Sequence, residues 1–117
     1  MNALGFPWPS FRKGQRELAE TVYKAVSTGR CLMAQATTGI GKTLGTLFPL
    51  LKAMPRQPLD KILFLTAKTP GRALALEALR QVHQASPETA LRSLELVARD
   101  KACEYPGTAC HGEACPL

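Results

Sequence analysis

The chain has 117 residues, 45% of them hydrophobic, a size that fills one modest core and argues against two separate ones. Fifteen Lys and Arg against nine Asp and Glu give a formal charge of +6 and a pI near 9.5, which favours an anionic partner such as nucleic acid, nucleotide or an acidic membrane surface; the plainer alternative is a soluble basic domain. No apolar run approaches the roughly 20 residues that span a bilayer, and the opening "MNALGFPWPSFRKGQ" lacks the basic-then-apolar order of a signal peptide. The expectation is therefore a cytoplasmic, non-membrane protein with reduced thiols, in which four Cys point to metal or cluster chemistry before disulfides.

In chain order, "GFPWPS" sets two prolines and two aromatics within six residues and predicts an extended lead-in docked on a surface. Leu18, Val22 and Val26 then recur at helical spacing, with Gly29 as terminator, predicting a helix over about 13–28. "RCLMAQA" reads as a first buried strand that holds Cys31 as a small hydrophobe, followed by the turn "TTGIGK" and the helix "TLGTLFPLLKAM". "MPRQPLD" is a proline-punctuated loop and "KILFLTA" a second buried strand. "TPGRALALEALRQVHQA" predicts the next helix, with Pro70 in its first turn and Leu76, Leu79 and His83 along one face, His83 being structural. "SPETALRS" is a loop and "LELVA" a short third strand. Helices alternating with apolar strands predict an α/β fold with a parallel sheet and right-handed crossovers. After Arg99 the segment "DKACEYPGTACHGEACPL" has almost nothing apolar to bury, so it is an irregular Cys-rich tail rather than a core element.

"ATTGIGKT", residues 36–43, follows a predicted strand and opens a predicted helix. It meets the phosphate-loop pattern G-x-x-x-x-G-K-[ST] everywhere except at Ala36. Gly39 and Gly41 allow backbone conformations closed to other residues, so that successive amides, including those of Thr37, Thr38 and Ile40, turn inward around an anion. Lys42 brings a charge to the β and γ phosphates, Thr43 a hydroxyl to Mg2+, and the helix its positive end. Ala36 fits in place of glycine if its φ is negative. The opposing reading is a glycine-rich turn that binds nothing. Hydrolysis also needs carboxylates that hold Mg2+ and orient water. No apolar strand after Thr43 ends in Asp-Glu: Asp60 precedes its strand and Asp100 lies beyond one. These residues are expected to bind ATP without turning it over.

Cys103, Cys110 and Cys115 are spaced C-x6-C-x4-C-P in a Gly- and Pro-rich stretch. Thiolates in such loops ligate iron. Zinc held by these three with His111 competes, although adjacent Cys110 and His111 reach one metal poorly, and unligated thiols are a third possibility.

"FRKGQRELAETVYKAV", "ATTGIGKT", "LFLTAKTPGR" and clustered Cys, in that order, resemble the amino-terminal part of the XPD/DinG family of iron–sulfur, superfamily-2 DNA helicases. An Ala-led phosphate loop is common in that superfamily. The resemblance implies a P-loop NTPase (RecA-like) parallel sheet flanked by helices, incomplete here, with residues 1–99 as the start of the first motor domain and 100–117 as the start of a cluster insertion. It implies that Gln15 reads adenine, its amide donating and accepting at once, and that Arg12 helps dock the base or the phosphates. A solvated first-turn residue is the alternative for Gln15. "TAKTPGR" stands where the family contacts the backbone of single-stranded DNA, so Thr66, Lys68, Thr69 and Arg72 become phosphate donors together with the helix that begins near Thr69. An ordinary strand-to-helix connection is the alternative there. Cys103, Cys110 and Cys115 become [4Fe–4S] ligands, with a fourth expected beyond Leu117. The implied activity is ATP-dependent translocation on single-stranded DNA and unwinding of forked DNA by a monomer, with ATP, Mg2+ and the cluster as cofactors. Two rivals remain: a non-catalytic nucleotide- or single-stranded-DNA-binding module, and a P-loop small-molecule kinase, which leaves the Cys segment unexplained.

Overall fold

The computed structural model describes residues 4–105, 107, 111 and 113–115, without the side chains of Thr69 and Asp100. Four helices follow in order: α1 (Gln15–Ser27), α2 (Lys42–Ala53), α3 (Thr69–Ala85) and a single turn, α4 (Arg99–Ala102); a 3-10 turn, Met54–Arg56, extends α2. The three long helices lie within two residues of their expected ends. Gly29, at φ 64°, closes α1: its amide donates to Val26 O at 3.2 Å and that of Arg30 to Ala25 O at 2.9 Å, satisfying two end carbonyls.

The middle helix of the packing is α2, with α1 and α3 against it. Its Leu44, Leu47 and Phe48 meet Ala75, Ala78 and Val82 of α3 to form the core. The spacing 75, 78, 82 is the helical stripe of α3, rotated from the face expected from Leu76, Leu79 and His83. Leu76 and Leu79 are half-buried and His83 is exposed, because Ala75, Ala78 and Val82 are the residues that face α2. Toward α1, a Cβ at Gly45 would lie 3.3 Å from Leu18 Cδ2 and 3.4 Å from Gln15 Cγ, so glycine sets the spacing of that helix pair. The lead-in docks as expected. Phe6 stacks on Phe11 at 3.9 Å, meets Phe48 edge-on at 5.1 Å, and the Gly5 amide donates to Ser86 Oγ at 3.0 Å.

The expected sheet is where the structure departs. Residues 31–36, 61–66 and 91–98 carry no strand ladder among the described residues. A strand exists only when its amides and carbonyls pair with a neighbour, and these three segments do not pair with one another. Ile62 and Leu91 pack on the helical core, while Met33, Leu63, Leu65, Leu94 and Leu96 are 80% or more exposed. Cys31, expected in a buried strand, is exposed for the same reason. Unpaired segments also account for a radius of gyration of 17.6 Å, against about 13 Å for a compact domain of this length. None of the described helices is long and apolar enough to cross a membrane.

Candidate nucleotide and nucleic-acid site

The candidate phosphate loop, residues 36–43, is built by glycine at two points. Gly39 has φ 85° and Gly41, the N-cap of α2, has φ 80°, the left-handed region that favours glycine. A Gly N-cap has no side chain to close the first turn, which leaves the positive end of α2 facing the loop. The Lys42 ammonium donates to Ala36 O at 2.9 Å and Thr37 O at 3.3 Å. It bridges the two ends of the loop while remaining exposed, where an incoming phosphate can compete for it. Thr38 is exposed, Ile40 and Thr43 are half-buried, and Thr46 Oγ1 donates to the carbonyls of Lys42 and Thr43.

The start of α1 is fastened to this loop. Gln15, 3% exposed, is the buried polar residue among the described residues. Its Oε1 accepts from the Arg12 amide at 3.0 Å and its Nε2 donates to Gly41 O at 3.1 Å. Gly41 O also accepts from the Gly45 amide at 2.9 Å, so both lone pairs of that carbonyl are engaged. The Arg12 guanidinium donates to Gly39 O at 2.8 Å. Two carbonyls of the loop are thus held from the α1 side, and a Cβ at Gly14 would lie 2.9 Å from Ile40 Cδ1. Gln15 is therefore no solvated first-turn residue. Each end of its amide keeps one further hydrogen-bonding capacity. Sequence reading missed the contact of Gln15 with the loop; the absence of a side chain at Gly41, which makes room for it, was the available signal.

At the second loop, Lys68 is the extended N-cap of α3 and Pro70 sits in the first turn. Thr66 Oγ1 donates to Lys68 O at 3.2 Å, and so does the Gly71 amide at 3.1 Å. The Thr66 hydroxyl proton is thus committed to shaping the turn. Lys68 is exposed, whereas Arg72 is half-buried and pairs through Nε with Glu95. The Thr69 side chain lies outside the described residues.

A model of the DEAD/DEAH box helicases matches residues 12–105, which include both loops. This chain belongs to the DEAD/DEAH box helicase family. A probable ATP-dependent helicase of Methanocaldococcus jannaschii is 38% identical over 61 residues, 52% of this chain and 9% of the relative. The chain therefore covers a small part of that relative's length. No solved structure matches. For a DEAD/DEAH box helicase chain, membership implies a RecA-like P-loop fold, and residues 36–43 lead into α2 with no strand ladder among the described residues.

Only part of the Cys segment falls among the described residues. Cys103 and Cys115 are half-buried, His111 is exposed, and Cys110 lies outside the described residues. Among the described residues, no three His, Cys, Asp or Glu side chains stand together to hold a metal ion.

Proposed function

We propose that this chain is the nucleotide-binding part of the first motor domain of an ATP-dependent DNA helicase of the XPD/DinG type, with residues 1–99 in that domain and 100–117 opening a cluster insertion. The bracket of Arg12 and Gln15 on Gly39 and Gly41 is the observation that carries it. It supports the reading because, with Gln15 reading the base and residues 36–43 taking the phosphates, the bracket would supply the coupling an ATP site needs. ATP would lie along residues 36–43, with Lys42 leaving the Ala36 and Thr37 carbonyls for the β and γ phosphates. Thr43 would hold Mg2+, which supplies charge neutralisation on the phosphates. Gln15 would read adenine with its remaining donor and acceptor. Residues 66–72 would take phosphates of single-stranded DNA through Lys68, Arg72 and the first turn of α3. For the 117 residues given, the proposed activity is binding, with hydrolysis and unwinding belonging to a complete helicase.

Thermal unfolding with and without Mg-ATP tests the site. Saturation at about 100 times Kd stabilises a folded chain by about 2.7 kcal/mol, so melting should rise with ATP in the wild type and stay put in Lys42→Ala. Equal rises in both would remove the phosphate-loop reading. The proposal also assigns Cys103, Cys110 and Cys115 to an iron–sulfur cluster. Iron and sulfide in anaerobically purified protein, lost in Cys110→Ser, would support that assignment, and zinc without sulfide would replace it.

A further inference from the structure

Glu95 stands outside both loops, in the unpaired segment 91–98, where Leu94 and Leu96 are 84% and 80% exposed. Glu95 is itself exposed, and its carboxylate reaches the first turn of α3 to pair with Arg72. Both side chains keep about a third of their surface, 32% and 37%. Contact is between Nε of Arg72 and Oε1 of Glu95, and the third of the Arg72 side chain that stays exposed leaves the guanidinium room for a second partner. Arg72 sits four residues after Lys68, at the end of a helix whose N-cap carries no side-chain bond. We propose that Glu95 is a positioning residue for nucleic-acid binding: it fixes the Arg72 guanidinium by its Nε edge so that the Nη edge meets a backbone phosphate. This rests on the reading of residues 66–72 as the strand-gripping loop.

Two physical effects oppose each other at this pair. A free Arg side chain carries roughly 2 kcal/mol of rotamer entropy, part of which the ion pair removes before the phosphate arrives. Against that, the Glu95 carboxylate repels the same phosphate. Partial exposure decides between them, since nearby water raises the effective dielectric and weakens the repulsion, whereas the direct Nε contact keeps its orienting effect. The Thr66 hydroxyl is already donated to Lys68 O, so Arg72 is the donor of this loop whose direction a neighbour sets.

Fluorescence anisotropy of a labelled oligothymidylate, titrated with the full chain at several KCl concentrations, tests the inference. Glu95→Ala should weaken binding about threefold, the scale of one exposed ion pair. Glu95→Gln, which keeps an acceptor for Nε, should stay near wild type. Arg72→Ala should weaken binding and flatten the salt dependence by about 0.7 in log–log slope, the loss of one phosphate contact on a single strand. In the Arg72→Ala background Glu95→Ala should then change nothing. Tighter binding by Glu95→Ala or Glu95→Gln would show that the carboxylate screens the loop, and would overturn the proposal. So would an equal loss on Glu95→Ala with and without Arg72, because Glu95 would then act elsewhere. If Arg72→Ala itself leaves affinity and salt slope unchanged, the strand-gripping reading of residues 66–72 fails, and the role of Glu95 with it.

Discussion

Alanine at Gly41 and at Gly39 should have very different costs, although both glycines sit in the same loop at nearly the same φ, 80° and 85°. Forcing an L-residue into the left-handed region costs roughly 1–2 kcal/mol. At Gly39 that is the whole penalty, since a Cβ there meets nothing within 4 Å. At Gly41 the new Cβ would fall on Gln15 Nε2 and expel a buried amide from its bond to Gly41 O. Leaving such a buried group unsatisfied adds about 1–3 kcal/mol, so Gly41→Ala should cost roughly 2–5 kcal/mol against 1–2 for Gly39→Ala. Urea unfolding followed by far-UV circular dichroism measures both. The decisive arm is the double variant. With Gln15→Ala already in place, Gly41→Ala should cost only the backbone part, giving a coupling of about 1–3 kcal/mol between the two positions. Equal destabilisation by Gly39→Ala and Gly41→Ala, or strict additivity with Gln15→Ala, would mean that Gln15 does not bear on the loop.

Two further outcomes follow from the packing and the charges. Val82 is fully buried in the core, and Val82→Ala should destabilise by about 2 kcal/mol from two lost methyl groups and a partly collapsed cavity, while His83→Ala, on the exposed side of α3, should stay within about 0.5 kcal/mol. Hydrogen bonds from Arg80, and then Gln81, hold the Glu77 carboxyl below its usual 4.5. Stability from this depressed group is complete above pH 4.5 and is lost as pH falls through the lower folded-state value. Denaturation midpoints across acid pH should therefore fall less steeply in Glu77→Gln; an unchanged slope would assign the acid sensitivity to other carboxylates.

Short-range chemistry was readable in the sequence. The ends of α1 and α2 are marked by Gly29 and by the Gly-Lys-Thr at 41–43, because a positive φ or a missing Cβ is a local requirement that the residue itself announces. The α3 stripe was harder to place. Leu76 and Leu79 are the larger side chains, yet Ala75 and Ala78 lie deeper, since the face a helix buries is decided by the partner surface as well as by hydrophobicity. The Gln15–Gly41 and Arg72–Glu95 contacts join residues 26 and 23 positions apart, and no local pattern encodes them. The predicted strands carry no ladder among the described residues for a related reason: alternation and β-branched content report fitness for a sheet, while ladder bonds depend on which segments come together.

The second extended segment nonetheless keeps the two-faced character of a strand, and that can be tested directly. Ile62 turns inward onto the core, whereas Leu63 and Leu65 are 81% and 88% exposed. Apolar groups left in water contribute little to folding, so Leu65→Thr should change stability by no more than about 0.5 kcal/mol and should lower binding of a hydrophobic dye. Ile62→Ala removes atoms that are only partly withdrawn from water, and should cost about half of the 2–5 kcal/mol typical of a fully buried isoleucine. Comparable costs at positions 62 and 65 would show that the outer face is covered in solution. The segment would then pair or pack there, and its exposed leucines would belong to a completed sheet.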